Sequence, residues 1–482
     1  MVNPRSVFVK FLGVSGKALG VRLDMLDNIA LFSTVKSIEN LMAFLSGCGI
    51  KFLNIGEIFA RINGKPISSF AIDDSVLTAA VFNENFPHSE ATNFAMKFFR
   101  DQKMHKLRPE FGGFCDVNGH WLNGYALFCA LSEQIETNDF SKWPHILRTY
   151  NRRIAEIVRK QLSTHILRNK VLQFFARKQL KLIKDIANKA GIFLCGDCDV
   201  LCEEISTDVW ENQKSFFMND TPRATVFAGL PPSRICKDGI KTTKVPHRVS
   251  SLRSSNYEFF GHMFSNCQGM FDAVFLINGH SIFQYWEIAR EEVNPERGRW
   301  VNLPIEPFFE YMDSHFNNFP YLSDFNEPLL PANEVASKRH RILQVLIDGE
   351  PHVHSSGAYD LNREIFAISS PSCNRKIGKL QMPQNVSMAR LVSCLTIFKT
   401  SNYKLCILHF DEICSAMERS DVVTNPQECC QAFTSFVRGQ NPVKRRTIPG
   451  DTKIKTGKII SPPKNGTKEK VIDFFRNIIK KR

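Results

Sequence analysis

Cys195-Gly196-Asp197-Cys198, with Cys202 four residues further on, is the densest group of chemically capable side chains in this chain. Thiols at C-x-x-C spacing can hold zinc or exchange a disulfide. Zinc needs a second ligand pair, however, and redox chemistry needs a thioredoxin-like context. Elsewhere the cysteines pair closely only at Cys429-Cys430, so the expectation is buried or half-buried thiols at a strand end. His352 and His354 flank Val353 as two ligands on a strand would, but no acid or cysteine sits at a telling offset. No metal and no cofactor is therefore expected. Lys444-Arg445-Arg446 and the lysines after it form a third group, able to hold an anion, nucleic acid or an acidic partner by charge.

The elements that would position these groups alternate. Residues 50–55 (IKFLNI), 191–195 (GIFLC) and 273–277 (AVFLI) read as buried strands that end in turn or polar residues. Residues 170–190 carry Val171, Phe174, Phe175, Leu180, Ile183, Ile186 and Ala187 at helical spacing before the second strand. Strand and helix alternation points to an α/β architecture. With 482 residues, 43% of them hydrophobic, the chain can bury a large core. That length suits several domains or one elaborated α/β barrel.

Residues 114–131 (FCDVNGHWLNGYALFCAL) sharpen this. They resemble the pattern F-C-x-x-N-x-x-W-L-x-x-Y-A-x-F-x-x-L of the 4-alpha-glucanotransferases, the family of amylomaltase and disproportionating enzyme. The matches are Phe114, Cys115, Asn118, Trp121, Leu122, Tyr125, Ala126, Phe128 and Leu131. Further blocks follow in the family's order. Residues 191–197 resemble G-[IV]-x-[IL]-x-G-D, and residues 208–212 with Phe216 resemble D-V-W-x-N-P-x-L-F. Residues 228–232 look like A-G-x-P-P-D, and 256–260 sit where the family has G/N-Y-x-W-W. Residues 285–288 and 298–301, with Pro304, are similar to the region after the nucleophile strand. The likeness is good over about residues 10–305 and poor beyond. It implies a (β/α)8 TIM barrel with irregular insertions over residues 1–440, followed by a basic C-terminal tail, 441–482. The site would lie at the C-terminal strand ends.

Retaining glucan transfer needs a carboxylate nucleophile and, roughly 5 Å away, a carboxylic acid that protonates the departing oxygen. The family supplies the nucleophile from x-D-A-x-R-I-D-H. The corresponding strand here begins Asp272-Ala273, and Trp286-Glu287-Ile288 follows at the spacing of the plant-cytosolic type. The resemblance thus assigns the nucleophile position to Ile277, the Arg position to Phe275 and the His position to Asn278. An ungapped count back from Leu380-Gln381-Met382-Pro383 assigns the acid/base position to Ser356; with gaps, Glu350, Asp360 or Glu364 takes it. The third carboxylate falls on Lys399. The sugar-facing loops are eroded too: P-P-D-x-F reads Pro231-Pro232-Ser233-Arg234-Ile235, and G-Q-x-W-G-x-P keeps only Gly239. The acceptor-side P-Y-S loop reads Lys65-Pro66-Ile67-Ser68. Substrate-binding candidates carried over are Tyr125, Asp197, Trp210 and Asn278.

Three functional readings follow. The first is a catalytically impaired pseudoenzyme that binds an α-1,4-glucan, a maltooligosaccharide or a protein partner such as an active family member. The second is an active 4-alpha-glucanotransferase with a relocated carboxylate, Asp197 or Asp199 being placed for it and Asp272 lying toward the wrong end of its strand. The third is a binding protein that works through its tail. Of the formal charge of +14, residues 441–482 hold +10, from thirteen Lys or Arg against Asp451, Glu469 and Asp473. The remaining body is nearly balanced, so its charge does not mark it as a nucleic-acid binder. The tail would meet anionic partners or a membrane surface, with Val471, Phe474, Phe475 and Ile478 on one helical face. No apolar run of about eighteen residues indicates a transmembrane helix. Fourteen cysteines without a secretory signal fit reduced thiols, and a cytoplasmic protein is expected.

Overall fold

A computed structural model describes residues 18–82, 102–232, 238–282, 284–303, 321–323, 342–347, 367–369 and 405–410. Eight parallel strands close into a barrel in chain order: β1 (Ala18–Arg22), β2 (Ile50–Glu57), β3 (Phe193–Asp199), β4 (Ala273–Ile277), β5 (Tyr321–Ser323), β6 (Ile342–Ile347), β7 (Ala367–Ser369) and β8 (Leu405–His409). β1 pairs with β2 on one side and β8 on the other, which closes the ring. Strand alternation sorts the side chains. Val21, Leu53, Leu194, Cys198, Val274, Leu276, Cys406 and Leu408 join the core beneath the helices. Arg22, Asn54, Asp197, Phe275, Ile277 and His409, out of step with them, face the barrel axis.

The helices explain themselves locally. Helix α1 (Val35–Gly47) starts at Thr34, whose hydroxyl accepts the Ser37 N–H at 3.0 Å, and buries Ile38, Leu41, Met42 and Leu45 on one face. Between β2 and β3 lie α2 (Gly119–Ile135) and α3 (Ser163–Lys189); α4 (Glu258–Met270) precedes β4. The expectation for 170–190 was short at its start, because Ile166 and Leu167 continue the apolar stripe toward Ser163. The strand expected at 191–195 is displaced. Gly191, at φ +74°, closes α3 in a left-handed turn, so β3 begins at Phe193. Gly196 and Asp197, read as a turn, stay paired with Val274 and Phe275. A Cβ at Gly196 would lie 2.2 Å from the Phe271 ring, so only glycine lets that ring close against β3.

Motifs far apart in the chain meet in a second, antiparallel sheet. It pairs Val226–Leu230 with Gln284–Ala289, and the latter with Arg299–Asn302. Trp286 and Trp300 face each other there, ring centroids 5.1 Å apart. A second core under this region gathers Phe128, Phe140, Trp143, Trp210 and Phe216. Among the described residues, no helix is long and apolar enough to cross a membrane.

Candidate functional site

Two ion-pair groups occupy the described C-terminal strand ends. Arg22, the last residue of β1, places its guanidinium 2.7 Å from Asp197 of β3 and 2.9 Å from Asp24. Asn54 of β2 donates its amide N–H to Asp197 at 2.8 Å, and its own carbonyl accepts the Gly56 N–H at 2.8 Å. Gly56 is required at that point: it sits at φ +76°, and a Cβ there would lie 2.0 Å from Asp24 Oδ1. His409, ending β8, brings Nε2 to 3.7 Å from Asp24. Arg22, Asn54, Asp24, Asp197 and His409 are all buried.

The second group centres on Asp199. Lys244 pairs with it, the Asn278 amide donates to its two oxygens at 2.8 and 3.1 Å, and the Leu201 N–H donates at 3.0 Å. Asn278 can reach because it leaves β4 with φ +54°, a conformation Asn tolerates better than most residues. Glu203 lies 3.9 Å from Lys244 and accepts the Thr243 hydroxyl at 2.6 Å. Burial opposes the Lys244 charge, but Asp199, Glu57 and Glu203 outweigh it and hold the ammonium above its usual range. Lys65 donates to Thr243 at 3.1 Å, so the two loops that depart from the family pattern touch each other.

Of the residues singled out from sequence, Asp197, Asp199, Phe275, Ile277 and Asn278 come together here. Phe275 is the register partner of Asp197, and Ile277 of Asp199; both are half-buried. Tyr125 and Trp210 lie elsewhere. Tyr125 is buried on α2 beside Trp121, and burial pushes its phenol upward. Trp210 is buried among Phe128, Trp143 and Tyr150 and donates to the Leu147 carbonyl at 2.9 Å. Asp272 precedes β4, accepts the Leu194 N–H and pairs with Lys184, at the barrel's other end. The C-x-x-C thiols are buried and free, but they do not face one another. On a strand, positions three apart point to opposite sides, and Cys198 meets Cys267 of α4 instead. That contact and burial push the Cys198 thiol up; burial does the same to Cys195 and Cys202. Ser356, Glu350, Asp360, Glu364, Lys399, His352, His354, Cys429-Cys430, residues 233–235 and the tail 441–482 lie outside the described residues.

Sequence reasoning missed Arg22, Asn54, Asp24, His409 and Lys244. An Arg at the end of the short apolar run ALGVR was the one local signal, and it was not taken up. A carboxylate tied to a cation and an amide is held in one orientation, as a rigid polar floor requires.

The family model described as 4-alpha-glucanotransferase matches residues 80–325. The 4-alpha-glucanotransferase of Thermus thermophilus is 25% identical over 259 residues, 53% of this chain and 52% of that protein. That of Synechocystis sp. is 25% identical over 238 residues, 49% of this chain and 47% of that one. The chain thus spans about half the length of these curated relatives. In structure it is similar to the amylomaltase from Streptococcus agalactiae solved in complex with acarbose. The TM-score is 0.71, covering 88% of this chain and 99% of that one at 14% identity, a likeness of fold.

Proposed function

The chain belongs to the 4-alpha-glucanotransferase family, and from that premise we propose that it binds an α-1,4-glucan at its barrel mouth without transferring it. One observation carries this reading. At the described strand ends Asp197 is held by Arg22 and Asn54, and Asp199 by Lys244 and Asn278, while Phe275 and Ile277 bring only apolar surface. A polar floor of fixed donors with aromatic and aliphatic neighbours suits sugar binding. A retaining transfer needs a carboxylate aimed at the anomeric carbon and a second carboxyl group about 5 Å from it. In this reading Ile277 stands at the nucleophile position, Ser356 at the acid/base position and Lys399 at the third, and the cytoplasmic protein serves as a glucan sensor or as partner of an active relative.

The test is incubation with maltotriose, followed by chromatography of the products, beside calorimetric titration with maltoheptaose. Saturable binding without glucose or longer dextrins is the expected outcome. Products forming in proportion to protein would overturn it and favour transfer by a relocated carboxylate. That second reading has one observation on its side: Asp199 ends β3 directly beside Ile277. Absence of both binding and turnover would remove the glucan from the reading altogether.

A further inference from the structure

His120 is the second residue of α2, and His262 lies in the second turn of α4. Although far apart in the chain, their imidazoles meet, with ring centroids 4.1 Å apart and planes tilted by 41°. An aromatic post sets this approach. Phe70 stands edge-on to His120 at 6.3 Å and to Phe259 of α4 at 5.5 Å, and it stacks on Trp121 of α2 at 6.2 Å. Phe259 and His262 are three residues apart and so share a face of α4. His120 is exposed and His262 half-buried, so solvent reaches the pair. One ring N–H of His120 is directed to the Val117 carbonyl. In a neutral imidazole this leaves the other ring nitrogen with its lone pair. Partial burial, and then His262, hold His120 below its ordinary range, which favours that neutral form.

We propose that His120 and His262 together bind a divalent transition-metal ion of the zinc, nickel or copper class, which ties the start of α2 to α4. A histidine whose outer N–H is fixed by a backbone carbonyl is oriented to coordinate through its other nitrogen. Metal–nitrogen bonds of about 2.0–2.1 Å place two imidazoles on one ion with ring centres roughly 4.5–5 Å apart. The 4.1 Å between these rings lies just inside that spacing, within reach of a side-chain adjustment at the surface. Imidazole suits these ions, whereas Mg²⁺ and Ca²⁺ prefer oxygen ligands. Glu258, one turn before His262, is the acid whose charge reaches His120, and it offsets part of the charge of the ion. Among the described residues no group of three or more His, Cys, Asp or Glu is arranged to hold a metal ion. Water therefore completes the coordination shell, and the ion exchanges readily, unlike one held by four protein ligands. The site goes beyond the glucan reading and uses none of Arg22, Asp197, Asp199 or Lys244.

The test is calorimetric titration of the full chain, first stripped with EDTA, with Zn²⁺ and with Mg²⁺ as comparison ion, while NMR follows the histidine rings. Zn²⁺ is expected to shift the His120 and His262 resonances together, and Mg²⁺ to shift neither. His120→Asn and His262→Gln should each weaken this Zn²⁺ site by at least the roughly 10–100-fold that loss of an outer hydrogen-bond partner causes. The double variant should bind little worse than either single one, because both rings serve one ion. Should His262→Gln fail to fold, His120→Asn, at the exposed position, carries the same comparison. Ring resonances unmoved by saturating Zn²⁺ overturn the proposal. So does a Zn²⁺ site unchanged in His120→Asn, losses that add in the double variant, or an equal response to Mg²⁺.

Discussion

Ile277 and Asp199 are register partners at the ends of β4 and β3, and adjacent parallel strands run about 4.8 Å apart. A carboxylate introduced by Ile277→Asp would stand beside Asp199 and next but one to Phe275. The neighbouring like charge and partial burial both favour its protonated form, which is a poor nucleophile. Ile277→Asp is expected to give no maltotriose turnover and a lower melting temperature, and adding Phe275→Arg should not rescue it. Glucose release by the single variant would show that the rest of the transfer machinery is in place. Lys244 makes a complementary case. Lys244→Met would take from the buried Asp199 the ammonium that pairs with it, and removing one partner of a buried pair costs about 3–5 kcal/mol. Denaturant titration should show that loss, and Asp199→Asn in the same chain should recover part of it. A loss below about 1 kcal/mol would mean that solvent already screens the pair.

At the scale of an element, the short helix Thr207–Glu211 holds two acids against the protein's interior. Asp208 accepts the Ser69 N–H at 2.6 Å, and burial raises its pKa from 3.8 to about 7. Burial first, and then the charge of Asp208, raises Glu211 from 4.5 to about 8. Glu211 comes this close because Gly124 of α2 has no side chain: a Cβ there would meet the carboxyl at 1.9 Å. Both folded pKa values lie above the unfolded ones. The contribution to stability is therefore fully present below the unfolded pKa, and is lost as pH rises through about 7 and about 8. Glu211→Gln removes one of the two titrations. Its melting temperature should exceed the parent's at pH 9 by roughly 2 °C or more and differ less at pH 5. A variant whose advantage shrank with rising pH would contradict the burial argument.

Across the whole molecule, charge and core are separated along the chain. Residues 441–482 carry +10 of the +14, with few core-forming residues before Val471. The two described cores draw on residues between Leu19 and Phe410. Deleting 441–482 should shift the melting temperature by no more than about 1 °C, since surface changes away from the core cost little. The same deletion should abolish salt-dependent retention on an anionic resin, which bare electrostatic contacts produce. Insoluble protein, or a fall of many degrees, would show instead that the segment packs on the barrel.

Local pattern determined a good part of this protein. Ala273–Ile277 was legible because five apolar residues between Asp272 and Asn278, too few for a buried helix, suit a strand covered on both faces. The 114–131 motif was legible as family, but its reason is structural: Asn118 joins the helix Arg108–Val117 to α2, accepting the Trp121 indole N–H at 3.1 Å and donating to the Phe114 carbonyl. Tyr125 and Trp210 looked sugar-facing for the same family reason, yet both lie in aromatic cores. A residue type in a motif states its spacing and says nothing of which side of a helix meets the barrel. The mouth itself was decided by tertiary structure alone. Arg22 meets Asp197, and Lys244 meets Asp199, only because barrel closure and a returning loop bring distant segments to one place. No periodicity within either segment encodes its partner, since an ion pair depends on where two side chains end and not on the residues beside them.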